Sequence, residues 1–321
     1  MSNLEPYIFE PYLKTVIWGG EKIAARKGIA DAEHCIGESW EISGVPGHES
    51  VVAQGSERGL NLVELIRKHG AQLVGQKVFD RFGEKFPLLI KIIDAKSDLS
   101  VQVHPDDALA GVRHNSLGKT EMWYILESEP GARIYAGLSE QITPELYEQL
   151  VAENKIMDVI AAHESNAGDL FFLPAGRVHA IGGGNMLAEI QQTSDITYRI
   201  YDYDRRDANG NPRELHTALA KDAIDYTVYP EYKSTYVDNP NGATPLVECE
   251  HFKVAKVEVD GATAIAAADD SFLILICVGG ACELTVDGTT VQLPAYHSAL
   301  VPAAATTISA EGKATLLTAS F

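Results

Sequence analysis

Period-two patterning dominates this chain and limits what it can fold into. FPLLIKIIDA (86–95), LSVQVHP (99–105), EMWYILES (121–128), ARIYAGL (132–138), DLFFLPAG (169–176), MLAEIQQ (186–192) and ITYRIYDYD (196–204) either alternate or run apolar and β-branched, with turn residues between them. Segments of this kind form strands whose successive side chains point to opposite faces. The expected fold is mainly β, a barrel or sandwich decorated by a few helices. Helical signals are confined to a few places. Residues 61–75 open on Asn61 as an N-cap with Glu64 three positions on; residues 142–163 open on Thr143-Pro144-Glu145; residues 216–226 form a third. The stretch between His104 and Lys119 reads as a polar loop.

The pattern changes after Tyr229. EYKSTYVDNPNGATP (231–245) is a polar connector, and only short strands follow, with Asp287-Gly288 as a strong hairpin turn. Two domains are expected: a first over residues 1–229 that carries the chemistry, and a second over 230–321 without a ligand set. His297 stands alone in that second part and reads as incidental.

Of the 321 residues, 26 are Lys or Arg and 45 are Asp or Glu, a net charge of −19. With no basic block, neither nucleic acid nor an anionic membrane surface is an expected partner. A small anion would need a local basic pocket against the global field. No apolar run reaches the length of a membrane span. The N-terminal stretch lacks the basic-then-apolar order of a signal peptide. The four cysteines, Cys35, Cys249, Cys277 and Cys282, include no CxxC pair. They read as reduced core residues of a cytoplasmic protein, and nothing demands more than a monomer or a weak homo-oligomer.

The first strongly polar strand is LSVQVHP. Ser100, Gln102 and His104 share one face of it, with Val101 and Val103 on the other. The next strand begins Lys119-Thr120-Glu121, and His179 follows a loop in LPAGRVHAIGGG. Gln102, His104, Glu121 and His179 can converge inside a barrel. Imidazole nitrogen and carboxylate oxygen suit Zn²⁺ or another borderline divalent ion, and buried polar groups of this kind are costly unless paired or metal-bound. The alternative is a set of hydrogen-bonded core residues. In ITYRIYDYD, alternation puts Thr197, Arg199 and Tyr201 on one face. An inward arginine keeps its charge and needs an anion, either a neighbouring aspartate or a substrate.

LSVQVHPDD, GKTEMWYIL, LPAGRVHAIGGG and AEIQQTSDITYRIYDYDR resemble, in order, the signature blocks of class I (type I) mannose-6-phosphate isomerases in their short bacterial form. The resemblance covers roughly residues 8–225. It implies two cupin-type β-barrel (jelly-roll) domains and a zinc-dependent aldose–ketose isomerase that interconverts D-mannose 6-phosphate and D-fructose 6-phosphate. One Zn²⁺ per chain would be held by Gln102, His104, Glu121 and His179, and the partner would be a small phosphorylated sugar. Arg199 matches the family's catalytic arginine; Lys119 and Glu189 are candidates for proton transfer, Glu189 alternatively supporting a metal ligand. Ser100 and Lys91 are candidates for contacts along the sugar phosphate, and Trp18 and Glu41 match blocks that line the pocket. Gly118-Lys119-Thr120-Glu121 departs from the His-Lys-Pro-Glu step of the long enzymes, so no role of that histidine transfers; His114 does not match its position. Rival readings are a metal cupin oxygenase and a non-catalytic sugar-binding cupin.

Overall fold

The computed structural model describes residues 4–29, 34–206 and 210–321, and it is mainly β. A seven-stranded antiparallel sheet takes the order Lys233–Ser234, Leu170–Leu173, Glu121–Ser128, Asn185–Gln192, Leu88–Ala95, Tyr12–Gly20, Ile36–Ile42. A five-stranded sheet takes the order Tyr198–Tyr201, Val101–Val103, His179–Ile181, Arg133–Leu138, Ile160–Glu164. The third sheet, of eight strands, holds the C-terminal strands and also Tyr7–Glu10 and Val51–Val52. Among the described residues no sheet closes on itself, so the jelly-roll units are sandwiches of open sheets, not closed barrels.

Strand pairing crosses residue 229 in both directions. Tyr7 pairs with Leu300 in the third sheet, while Lys233 pairs with Phe171 in the first. One apolar core also spans both parts, packing Leu65, Phe86 and Ile90 against Phe252, Phe272 and Ile274. Alternation along Leu273–Val286 explains the continuous apolar run there. Ile274 and Ile276 face this shared core, whereas Leu275 and Cys277 face the interior of the C-terminal unit. A strand buried on both faces cannot show a polar/apolar alternation. The C-terminal interior is filled by apolar side chains such as Val259, Leu284 and Leu293. Val286 and Thr289 pair across a two-residue turn in which Asp287 and Gly288 both have positive φ, the primed turn that this dipeptide favours.

The helices differ most from expectation. Asn61 caps Leu62–His69 with the full reciprocal box to Glu64. The long helix expected over 142–163 stops at Ala152. Asn154 turns into the left-handed region and, after one 3₁₀ turn, Ile160–Glu164 pairs with Arg133–Leu138 as an edge strand. Hydrogen bonding to an open sheet edge outweighed helical periodicity there. The expected polar loop after His104 is a helix, Asp107–His114: Asp106 accepts from the Leu109 amide at its start, and Asn115 ends it in the left-handed region. No helix among the described residues is long and apolar enough to cross a membrane.

Candidate metal and substrate site

The two smaller sheets face each other across a cavity of about 360 Å³, lined from both sides. From the five-stranded sheet Gln102 and Arg199 reach it, and with His179 beside Gln102 they are direct cross-strand neighbours in one row. From the seven-stranded sheet Trp40, Lys91 and Glu189 reach it, in a row that continues to Trp123, each residue opposite the next. His104 follows its strand by one residue, and Lys119 sits just before Glu121–Ser128.

His104, Glu121 and His179 bring one ligand atom each within 4.8 Å of one another, all three buried. The His104 Nδ1 contacts the Ile196 carbonyl and the His179 Nδ1 the Arg177 carbonyl, each at 2.8 Å. A carbonyl only accepts, so each Nδ1 carries the proton and each Nε2 presents a lone pair. Those two Nε2 atoms lie 3.1 Å apart, and Glu121 Oε1, 3.3 Å from His179 Nε2, is buried without a hydrogen-bond partner among the described residues. Acceptors facing acceptors in a dry site repel unless a cation joins them. Burial, with the Lys119 ammonium nearby, pushes both imidazoles down, His179 to about 3, so both stay in the neutral form that binds metal. The donor set fits a divalent ion. The amide nitrogen of Gln102 lies 3.3 Å from His179 Nε2, and half a turn of the amide directs its oxygen to the same place.

Beside the acceptors, Lys119 Nζ contacts Glu121, lies 3.2 Å from His104 Nε2 and 3.8 Å from Glu189. Glu189 also pairs with Lys91 at 3.0 Å and accepts from Trp123 Nε1 at 2.8 Å. Burial alone would push the Glu189 carboxyl up, but the two lysines hold it well below the usual carboxylate range. Glu121 moves the other way, pushed up chiefly by burial. Lys91 lies over Trp40, 5.1 Å from the ring centre, and 3.6 Å from Glu38.

The cavity also receives Trp18 and Ser100. Glu41 is not among its lining residues. Alternation along Ile36–Ile42 sends Glu38 and Trp40 to the cavity and Ser39 and Glu41 to the opposite side, where Glu41 pairs with Lys27 at 2.9 Å. Because Glu38 and Glu41 differ in parity, only one can share the face of Trp40. His114 is outside the cavity, with its Nε2 2.7 Å from the Tyr198 hydroxyl. In the glycine run, a Cβ on Gly182 would meet the Arg133 carbonyl at 2.4 Å and Gly184 has a φ of +89°, so these glycines serve chain packing and a turn. Sequence reasoning missed Glu38, Trp40, Lys14 and Arg213, all of which line the cavity. Parity around Trp40 could have found Glu38; Arg213 comes from a loop and left no periodic signal.

Comparison with known proteins gives a consistent picture. The family profile for the phosphomannose isomerase type I catalytic domain matches residues 8–131, and that for the mannose-6-phosphate isomerase cupin domain matches residues 243–320. The chain is 37% identical over 278 residues to the mannose-6-phosphate isomerase ManA of Bacillus subtilis, covering 86% of each. It is 34% identical over 287 residues to the mannose-6-phosphate isomerase of Streptococcus mutans, covering 86% of this chain and 85% of that one. The crystal structure of the Bacillus subtilis mannose 6-phosphate isomerase superposes with a TM-score of 0.87 at 34% identity, over 98% of this chain and 99% of the other.

Proposed function

Since the chain belongs to the type I phosphomannose isomerase family, we propose that it interconverts D-mannose 6-phosphate and D-fructose 6-phosphate through an enediolate at the cavity between its two smaller sheets. Gln102, His104, Glu121 and His179 would hold one divalent ion, zinc by the chemistry of the donors. The observation that carries this reading is the convergence of two unprotonated Nε2 atoms and an unpartnered Glu121 oxygen on one buried point. When bound, the ion supplies a Lewis acid for the oxygens of the reacting carbons.

The remaining chemistry falls to the chain itself. The Lys119–Glu189 pair is the proton-handling unit, because a proton can reside at Lys119 Nζ or Glu189 Oε1 beside the metal-binding atoms. Lys91 and the Trp123 indole fix the Glu189 carboxylate so that it cannot swing away. Arg199 faces the same cavity, and its buried Nε has no hydrogen-bond partner among the described residues. That donor stabilises negative charge that develops only as the enediolate forms. Trp18 and Trp40 wall the cavity and exclude water.

The test is a coupled assay for fructose 6-phosphate formed from mannose 6-phosphate, run before chelation, after it, and with zinc restored. Loss and recovery of turnover supports the reading. No turnover by folded, zinc-loaded protein removes it and favours a sugar-binding role.

A further inference from the structure

We propose that Arg213, preset by Asp202, anchors the phosphate dianion of the substrate, and that the lysines of the cavity do not. The inference rests on the reading above for the identity of the sugar, but its physical basis is independent of turnover.

The cavity carries basic groups at two places, and they differ in how far they are neutralised. Lys91 faces Glu189 at 3.0 Å and Glu38 at 3.6 Å, and Lys119 contacts Glu121 and Glu189. Two buried ammonium groups, with the partly exposed Lys14 3.6 Å from Glu38, thus share three buried carboxylates. With Glu121 committed to the ion, Glu38 and Glu189 still match the two buried ammonium groups, so these lysines already hold their counter-charges and offer no uncompensated charge to an incoming dianion.

Around Asp202 the balance is reversed. Its carboxylate is buried and accepts from Arg213 Nε at 2.7 Å and Nη2 at 2.5 Å, while Arg205 Nη2 lies 2.5 Å from the same Oδ1. Arg199 is the third guanidinium of the group: its ordinary pKa is pushed down by burial first and then by Arg213, with Arg205 adding to it. Two guanidiniums therefore clasp one buried carboxylate, and a third, Arg199, which donates to the Glu214 carbonyl at 2.9 Å, lines the same cavity as Arg213. Asp195 also lines the cavity and Glu214 stands nearby, but both are exposed, so water and salt screen them. The result is a local excess of positive charge in a chain whose net charge is −19.

Geometry favours Arg213 within this group. Arg213 and Arg199 line the cavity, whereas Arg205 is tied to the Asp98 carbonyl and does not. Asp202 holds the Nε–Nη2 edge of Arg213, so the planar group is fixed in orientation and directs its Nη1 side away from that carboxylate. A fixed guanidinium loses little freedom on binding a phosphate, and it offers charge-assisted hydrogen bonds. The row His179–Gln102–Arg199 also gives a scale. Neighbouring strands are about 4.8 Å apart, which starts Arg199 roughly 10 Å from His179. Mannose 6-phosphate carries its reacting carbonyl and its phosphoryl group at opposite ends of the carbon chain, and Gln102 and Lys119, which adjoin the metal-binding cluster, line the same cavity as Arg213.

The experiment compares wild type, R213A, R213K and K91M, using calorimetric binding of inorganic phosphate to the zinc-loaded proteins and steady-state kinetics with mannose 6-phosphate. R213A is expected to weaken phosphate binding and raise KM by roughly ten- to a hundredfold, the span of a lost charge-assisted hydrogen bond, with zinc content unchanged. R213K, which keeps the charge and an ion pair to Asp202, should fall between and serves where R213A does not fold. K91M should bind phosphate as wild type does or more tightly. Phosphate binding that survives in both Arg213 variants, is lost in K91M, or is absent from wild type overturns the anchor. Arg213-dependent phosphate binding without any turnover by wild type leaves the anchor standing and removes the isomerase reading. Turnover with an unchanged KM in both Arg213 variants does the reverse.

Discussion

The buried pair Lys91–Glu189 gives a quantitative test of how the cavity floor is held. The two residues sit directly opposite each other on adjacent strands, 3.0 Å apart at their charged ends, and are 7% and 3% exposed. Lys91→Met leaves Glu189 with the Trp123 indole at 2.8 Å and, as its nearest cation, Lys119 at 3.8 Å; Glu189→Gln leaves Lys91 with Glu38 at 3.6 Å as its nearest anion while keeping an acceptor for Trp123. Breaking a buried pair from one side costs about 3–5 kcal/mol, and the remaining partners put each single variant at about 3. Independent effects would then sum to about 6 kcal/mol. At an effective dielectric of about 20 the pair attraction is gross ~5 kcal/mol, so a coupling of at least about 2 kcal/mol should reappear in the double variant, which carries neither charge. Each single should lower Tm by roughly 4–5 °C, and the double should melt no more than a few degrees below the worse single. Calorimetry on protein saturated with zinc measures this, since a change in metal occupancy would otherwise shift Tm by mass action. Tm losses that simply add would refute the claim that the two charges are mutually dependent.

Three further outcomes follow from the same geometry. Arg199→Ala should retain normal zinc content while kcat/KM falls by about two orders of magnitude or more, as for loss of a donor to developing charge; undiminished turnover removes the arginine from the reaction. Arg177 stacks on Tyr229 and Tyr232, with its charge 4.7 and 5.2 Å from the ring centres, and its carbonyl orients His179. Arg177→Ala should therefore weaken zinc binding, measured by chelator competition, by about tenfold; an unchanged affinity would detach that stacking from the site. Burial pushes the Glu57 carboxyl up, but hydrogen bonds from Lys68, Tyr7 and His69 hold it at about 2. Its folded pKa lies below the unfolded value, so the stability it contributes is complete above about pH 4.3 and disappears as pH falls toward 2, on the order of 2 kcal/mol. Acid unfolding followed by circular dichroism should be less steep in Glu57→Gln; an identical acid limb would assign the transition to other carboxylates.

How much of this was legible in the sequence follows from what period two can and cannot encode. Parity placed Gln102 with His104 and Thr197 with Arg199, and the structure carries Gln102, Thr197 and Arg199 into one cavity. Parity does not say which strands are neighbours. Trp40, Lys91, Glu189 and Trp123 stand in one row although residues 40 and 189 are far apart in the chain, because the row runs across strands. Glu41 lies outside the cavity for the complementary reason: the resemblance covers the whole GESWEIS block, and only parity distinguishes which of its two glutamates shares the face of Trp40. The helix Asp107–His114 was missed because its cap, Asp106-Asp107, is also a turn signal, and its role is visible only in three dimensions. Asp107 Oδ1 accepts from the Gly118 amide and from Gln192 Nε2, and Gln192 in turn accepts from the Thr120 amide. These bonds set the path of Gly118–Thr120, and therefore where Lys119 and Glu121 point.

The same reasoning bears on the C-terminal part. Its interior is filled by alternating apolar side chains and, among the described residues, holds no cluster of metal-ligating groups, while its other face completes the core behind the two smaller sheets through Phe252, Phe272 and Ile274. Tyr7–Glu10 extends the C-terminal sheet before the chain enters Tyr12–Gly20 at the cavity wall. Removing residues 230–321 would therefore strip pairing from Tyr7–Glu10 and Leu170–Leu173 and expose one side of Leu65, Phe86 and Ile90. A buried aliphatic or aromatic side chain is worth about 1.5–3 kcal/mol of transfer free energy. Exposing even a handful equals the net stability of an ordinary domain. We therefore expect the site to need the C-terminal unit in order to fold, although none of the cavity's lining residues lies in that unit.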